Sequence, residues 1–542
     1  MKRILLPLAL LASAALAAGD PPVATIRLAS VDAVETAIQG VLAAVGRPAM
    51  PPDASPRAFF EEMCDVDPSR PVLVRFWTGD GGDLVGVIAV PGAEPTSERL
   101  AKAFDGDAPV RGEDGVWTKP DDDGTGQAVA FRDGYVLVAK PRRYLAEADA
   151  LFAVKPLFPG VAAEAEIRMR AFADARLPAG GEPANALVKR MFGSFETFSF
   201  GLAFDKSAGL LVPFGVTPPA SAPGAFAAFA AAPALDPAAS PLWSDGASVS
   251  YAISDVGRVF GGLLDAYADL FDTVRSGIEE SLRESGLDDE AIARQRTLFA
   301  EMPEAFRRCK SFGAASGFGS IGASSGGFSV LGDYDLGDPA TAAWMRDFQR
   351  RSLELQTAVA ATNAIFFRET ADGWEYGVNP VAAFGDAESP ALPVPTASLL
   401  RYLYGTDGLR GSVRLRPGTK ADYRFALAPA GQKPPKPVHD PIPASALARF
   451  APGAKVLSCF RMRMSAILRE CLLAADAVPE GAIPPGGALH WDLGAKDGLP
   501  VGVLSVEPAE MNAIFVASVF GVQRAMVPAA AAPSGEEALF DD

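Results

Sequence analysis

The sequence predicts an α+β fold with mainly antiparallel sheets, in which strand-helix-hairpin-helix units are duplicated to form two similar lobes. The first observation is a pattern that occurs four times: an alternating strand, a glycine-containing turn, a second strand, a proline and an apolar helix. The second is a further strand upstream of each copy, followed in three cases by a helix. The four copies are residues 72–104, 198–229, 312–348 and 489–515.

The residue types account for each step of these hairpins. A glycine in the turn permits the positive φ angle that a short hairpin loop requires. A proline lacks the N–H that a β-ladder needs, so it ends the second strand and can begin the following helix. The prolines in question are Pro91, Pro218, Pro339 and Pro508. The helices predicted after them are 96–104, 221–231, 340–350 and 509–520.

The upstream elements are predicted from alternation and helix caps. The strands are 24–28, 166–170, 247–251 and 455–460. Ser30 or Asp32 can accept the free N–H groups of a helix at 31–45. A long helix to about Ser285 and another at 288–308 are predicted after the third upstream strand.

Long and short units alternate along the chain, and this alternation sets the predicted domains. Residues 18–155 and 156–240 are the long and short units of the first lobe, and 241–430 and 431–527 are those of the second. Proline-rich stretches separate the units, and 528–542 is predicted to be a disordered acidic tail. A pair that occurs twice suggests an ancient duplication. Chance recurrence is the alternative, because a hairpin followed by a helix is common in α+β proteins.

The N-terminus has the pattern of a secretory signal peptide over residues 1–17. Lys2 and Arg3 precede an apolar stretch, and Ala15 and Ala17 supply the small residues that signal peptidase requires. We therefore expect a cleaved signal and a secreted or periplasmic protein, with a retained signal anchor as the alternative. Cysteine is absent near the cleavage point, so the protein is not expected to be a lipoprotein. The best later membrane candidate, 511–522, is too short to span a bilayer.

Charge and composition restrict the classes of partner that we expect. The 542 residues are 49% hydrophobic and 21% charged, as is ordinary for a globular protein, and the net charge is −17. An acidic protein repels the phosphates of nucleic acid, so no nucleic-acid partner is expected. No cofactor motif is convincing. An apolar small molecule or an envelope protein is the expected kind of partner.

The cysteines allow a disulfide prediction. The chain has four cysteines, and in an exported protein they could form two bridges. Cys459 lies on a predicted strand and Cys471 on the helix that follows it, so local pairing of these two is the favoured bridge. Four buried free thiols are the alternative, because a chain of this size does not need covalent cross-links.

Few residues suggest catalysis or metal binding. Ser324 lies in a G-x-S-x-G pattern at 322–326, and His490 on a predicted strand is one of only two histidines that could serve as its base. A strand follows Ser324 instead of the helix that a nucleophile elbow requires, which favours a simple hairpin turn. Asp121, Asp122 and Asp123 resemble part of a calcium loop, but position twelve is Arg132, so an acidic surface turn fits better.

Three functions remain open from the sequence. The first is an exported, non-catalytic protein that binds an apolar ligand or peptide between its repeated lobes. The second is a structural or assembly component of the cell envelope. The third is a cryptic serine hydrolase that uses Ser324 and His490.

Overall fold

The computed structural model describes residues 22–78, 84–104, 107–119, 126–171, 194–284, 289–321, 328–359, 366–378, 408–416, 422–474, 478–479 and 481–526. The predicted signal peptide at 1–17 and the predicted tail at 528–542 lie outside these ranges. Ser324 and Asp121–Asp123 also lie outside them.

The described residues form an α+β fold around one sheet of 20 strands, and every strand pair in it is antiparallel. The prediction of mixed helices and antiparallel strands is therefore confirmed. The strands are β1 Ala24–Leu28, β2 Val72–Thr78, β3 Leu84–Pro91, β4 Val110–Arg111, β5 Trp117–Thr118, β6 Ala128–Arg132, β7 Tyr135–Lys140, β8 Ala163–Arg168, β9 Thr197–Asp205, β10 Gly209–Thr217, β11 Val249–Ile253, β12 Ala315–Ser320, β13 Ser329–Asp335, β14 Phe366–Thr370, β15 Gly373–Val378, β16 Leu409–Arg416, β17 Asp422–Pro429, β18 Lys455–Met462, β19 Leu489–Lys496 and β20 Leu499–Val506.

The helices connect these strands. They are α1 Val31–Ala44, α2 Pro56–Glu61, α3 Ser97–Ala103, α4 Ala148–Phe152, α5 Ala227–Ala231, α6 Val256–Glu284, α7 Asp289–Cys309, α8 Pro339–Val359, α9 Leu447–Phe450, α10 Met464–Ala474 and α11 Pro508–Met526. Ser30 caps α1 as expected, because its side chain accepts a hydrogen bond from the backbone N–H of Ala33. None of the described helices combines the length and the apolar character needed to cross a membrane.

Each of the four hairpins predicted from the sequence is present. The pairs β2–β3, β9–β10, β12–β13 and β19–β20 are neighbouring antiparallel strands, and a helix follows each pair. The second of these helices differs from the prediction, because α5 covers only five residues instead of 221–231. Pro223 and Gly224 lie in the lost part, and both residue types disfavour helix interiors.

The strand order across the sheet is β4-β5-β6-β7-β3-β2-β1-β8-β9-β10-β20-β19-β18-β11-β12-β13-β17-β16-β15-β14. The first ten strands thus meet the last ten at one pair, β10–β20. In that pair Leu210 lies opposite Val506, and Pro213 lies opposite Val503.

The two faces of the sheet are covered differently. On one face, which we call the helix face, α1 and α3 pack on side chains such as Ile26 and Val74. The preceding residue of β2, Leu73, points to the opposite face and packs against Tyr144 and Leu151 of a connecting segment. Because connecting segments also cover this side of the later strands, we call it the loop face.

Candidate functional site

A cleft of 450 Å³ opens on the loop face beside the β10–β20 pair. The lining has an apolar wall and a polar wall, and the two adjoin at the β10–β20 pair, where Leu211 pairs with Ser505. The apolar wall includes Leu211 of β10 together with Trp243 and Ile442 of two connecting segments. The polar wall includes Cys459, His490, Asp492, Ser505 and Glu507.

The polar wall exists because of alternation in the fourth hairpin. Side chains two positions apart on a strand point to the same face, so His490 and Asp492 of β19 share the loop face. Ser505 of β20 pairs directly with His490, and Glu507 follows two residues later. Four polar side chains from two neighbouring strands are thereby placed together.

His490 and Glu507 form the central contact of this wall. Nε2 of His490 lies 3.1 Å from Oε1 of Glu507, and the other carboxylate oxygen accepts the backbone N–H of Ala488 at 3.0 Å. A carboxylate only accepts hydrogen bonds, so Nε2 carries a proton, and in the neutral form of a ring with this tautomer Nδ1 is an acceptor. No residue in the described part of the chain hydrogen-bonds to Nδ1. Glu507 therefore orients the ring, and Nδ1 is available to a ligand.

Asp492 lies deeper in the cleft and fastens a connecting segment to the sheet. It accepts a hydrogen bond from Oγ of Ser445 at 2.5 Å and further bonds from the backbone of Ala446 and the thiol of Cys459. Burial raises the pKa of Asp492, and these donors together with His490 oppose that increase. Asp492 is only 6% exposed, and its contacts hold the connecting segment against the cleft.

Ser505 contributes a hydroxyl group to the cleft lining. The residue is 8% exposed, and its Oγ has no hydrogen-bond partner among the residues that the structure describes. This Oγ is not one of the fully buried polar atoms that lack a partner, so the cleft leaves it accessible. An accessible hydroxyl on the same face as an imidazole nitrogen offers two polar contacts to a ligand.

The cysteines do not follow the predicted pairing. All four cysteines are free, so the predicted Cys459–Cys471 disulfide is absent from the structure. The reason is their position: Cys459 packs with Trp243 and Ala252 on the loop face, whereas Cys471 lies on α10, which packs against α11. Burial first, and then the charge of Asp492, raises the pKa of the Cys459 thiol, so this thiol stays protonated and is a poor nucleophile.

The structure places the other candidates away from this cleft or outside its description. Ser324 and Asp121, Asp122 and Asp123 lie outside the described residues, so neither the proposed elbow nor the acidic turn can be placed. Among the described residues, no group of three or more His, Cys, Asp or Glu side chains could hold a metal ion.

Of the candidate residues chosen from the sequence, His490 and Cys459 lie in the polar wall, and Cys459 was chosen for a disulfide rather than for a site. Asp492, Ser505 and Glu507 were missed by sequence reasoning. A usable pattern was present, because polar residues occur two apart on both strands of an otherwise apolar hairpin, as His490 and Asp492 and then as Ser505 and Glu507. Comparison with known protein families, with curated proteins and with solved structures finds no match to this chain.

Proposed function

We propose that this chain is an exported protein that binds a small organic ligand in the cleft beside β10 and β20. The observation that carries the proposal is the combination of an apolar wall with two polar groups that have no hydrogen-bond partner in the described part of the chain, Ser505 Oγ and His490 Nδ1. The cleft volume of 450 Å³ lies within the range of small-molecule sites, about 300–1,000 Å³. Export rests on the N-terminal pattern at 1–17 described above.

The proposal includes a duplication, which the strand order supports. From its outer edge to the junction, the first half has the order β4-β5-β6-β7-β3-β2-β1-β8-β9-β10. From the opposite edge to the junction, the second half has the order β14-β15-β16-β17-β13-β12-β11-β18-β19-β20. The two orders are identical when each strand of the first half is matched with the strand numbered ten higher. Chance recurrence of hairpins does not account for ten strands in the same spatial order in both halves. We infer two similar lobes that join edge to edge at β10–β20.

The pairing registers support the same equivalence residue by residue. We matched buried Trp117 of β5 with buried Trp374 of β15 and followed the residue pairings from strand to strand in each half. This matches Ala24–Leu28 with Val249–Ile253, which are the bounds of β1 and β11. It also matches Gly209–Thr217 with residues 499–507, and β20 begins at the first of these. Both tryptophans pack in the core of the helix face.

Helix packing across the junction is reciprocal. The helix after β10, α5, packs on α6 of the second half, and the helix after β20, α11, packs on α1 of the first. The second contact includes the guanidinium of Arg47 over the ring of Phe515, 4.6 Å from its centroid. Such an exchange is expected of two equivalent halves related by an approximate twofold axis. The cleft then lies between the lobes, where ligand sites often form.

The charges of the cleft select the class of ligand. Among the described lining residues, Asp492 and Glu507 are two carboxyl groups and His490 is the one basic side chain, while the guanidinium of Arg461, opposite His490 in the β18–β19 pair, interacts with Glu507 from outside the lining. A negative field disfavours carboxylates and favours a head group that is cationic or donates hydrogen bonds. We therefore expect a ligand with an apolar body, for the wall of Leu211 and Trp243, and an ammonium or similar donor at one end.

Calorimetric titration with hexylamine, hexanol and hexanoate tests this proposal, since the three probes differ mainly in the head group. Hexylamine is expected to bind most tightly and hexanoate least. Glu507→Gln should weaken hexylamine binding about tenfold by removing one charge-assisted hydrogen bond of about 1.4 kcal/mol. Thr217→Val changes the equivalent position of the first half and should leave the affinity unchanged. Equal affinity for hexylamine and hexanoate, or no binding by any of the three, would exclude the proposed ligand class.

A further inference from the structure

We propose that the same cleft hydrolyses small carboxylic esters, with Ser505 as the nucleophile, His490 as the general base and Glu507 as the residue that positions His490. The inference goes beyond binding and uses the cleft of the proposed function. It replaces Ser324, the nucleophile suggested by the sequence pattern, with a serine that the fold places beside the histidine.

The strand register brings the three groups together. Ser505 and His490 are directly opposite in the β19–β20 pair. Residues directly opposite in an antiparallel pair have Cβ atoms about 4.5–5.5 Å apart, so the Ser505 and His490 side chains are neighbours on the loop face. Glu507 already contacts Nε2 at 3.1 Å, so Nδ1 is the nitrogen that can receive the serine proton.

Burial and hydrogen bonding point to Ser505 over other serines of the cleft. Ser207, the other serine of the described cleft lining, donates its hydroxyl to Asp205 at 2.6 Å and is thereby engaged in the turn between β9 and β10. Ser505, more than nine-tenths buried and in the cleft wall, has no such partner within the described ranges. Nucleophilic catalysis requires the hydroxyl and the base to come within hydrogen-bond reach, and on this proposal the contact between Ser505 and His490 forms when a substrate binds.

The first half of the chain shows that the fold itself does not need these groups. The register equivalence places Ser199 at the position of His490, Gly215 at that of Ser505 and Thr217 at that of Glu507. The first half keeps one structural bond, from Thr197 N–H to Thr217 Oγ1 at 3.2 Å, which corresponds to the Ala488–Glu507 bond. A base, a nucleophile and a carboxylate therefore occur together in only one of two otherwise equivalent places.

The reaction is an acyl transfer through Ser505. The hydroxyl oxygen attacks the ester carbonyl carbon while its proton moves to Nδ1 of His490, and the bond to the alcohol oxygen breaks as that oxygen takes the proton. Water then attacks the acyl-Ser505 ester, which releases the carboxylic acid and restores the hydroxyl. The N–H of Ala509 is in the first turn of α11 at the cleft edge, has no acceptor within the helix, and can stabilise the oxyanion.

A fluorophosphonate probe tests the nucleophile, with the labelled residue identified by peptide mass spectrometry. We expect labelling of Ser505 in the full folded chain, loss of labelling in Ser505→Ala, and unchanged labelling in Ser199→Ala, the counterpart control from the first half. p-Nitrophenyl acetate turnover should fall at least 100-fold in Ser505→Ala and in His490→Gln. No label on the wild type, or a label that survives Ser505→Ala, would overturn the inference.

Two further readouts separate this inference from a merely structural role and from the binding proposal. For p-nitrophenyl acetate, Glu507→Gln should lower kcat while KM stays constant, because Glu507 acts on His490 and not on the neutral ester. Ser199→Ala, the counterpart from the first half that does not line the cleft, should bind hexylamine and turn over p-nitrophenyl acetate like the wild type. Retained hexylamine binding without labelling of the wild type would refute ester hydrolysis and leave the binding proposal intact.

Discussion

Replacing Trp374 by alanine is expected to lower the free energy of unfolding by about 3–5 kcal/mol, the range for truncating a buried Phe or Trp. Trp374 is 1% exposed and packs in the core formed by α8 and the strands β13–β17. Its indole N–H also donates to the side-chain oxygen of Gln349 at 2.6 Å, which would lose this donor. The cost therefore combines a cavity with a broken polar contact. Urea unfolding followed by circular dichroism measures the change.

Trp491 supplies the matched control for this change, because the same residue type is 44% exposed there, on the helix face of β19. Trp491→Ala leaves little cavity, and exposed substitutions usually change stability by about 0.5 kcal/mol or less. If both tryptophan variants lost the same stability, the core assigned to Trp374 would be wrong.

Glu510→Ala is expected to destabilise the protein by about 2–4 kcal/mol, because two buried donors lose their acceptor at once. Glu510 is 0% exposed and accepts the backbone N–H of Ser465 at 2.7 Å and its hydroxyl at 2.5 Å. A carboxylate at this place also compensates the positive end of α10, whose first residues are Met464 and Ser465. The glutamate thus ties the start of α10 to the start of α11.

The control for Glu510 is Glu98, which lies on α3 with its side chain 81% exposed and paired with Lys102 one helical turn away. Glu98→Ala should cost about 0.5 kcal/mol or less, since exposed pairs of this kind contribute little. Thermal and urea unfolding of both variants give the comparison. A Glu510→Ala variant as stable as Glu98→Ala would contradict the role given to the buried carboxylate.

The local elements could be predicted from the sequence because their determinants are local. Alternation, turn glycines and the following prolines identified the four hairpins, and the pattern near Ser30 identified the start of α1. The predicted length of α5 was wrong. The spacing of alanine and phenylalanine favours a helix over 221–231, but Pro223 and Gly224 disfavour its first part.

The arrangement of the hairpins and the site could not be predicted in the same way. The β10–β20 pair joins residues almost 300 positions apart, as Leu210 and Val506 show, and no local pattern specifies such a partner. The disulfide prediction failed because closeness in sequence says nothing about which face a side chain takes, and Cys459 points away from the helix that carries Cys471. Ser505 was passed over because one serine in an apolar strand is unremarkable until its opposite residue is known.

The most direct test of the account is whether the two ten-strand halves meet in the register of β10 and β20. A Gly215→Cys and Val501→Cys pair probes this contact, since the two residues are directly opposite and a Cβ at Gly215 would lie 3.9 Å from Val501 Cγ1. Mild oxidation and mass spectrometry of unreduced peptides should detect a 215–501 disulfide. The Gly215→Cys and Pro500→Cys pair, one residue out of register and on opposite faces, should not form one. Equal cross-linking of both pairs, or none for the first, would contradict the junction and the cleft beside it.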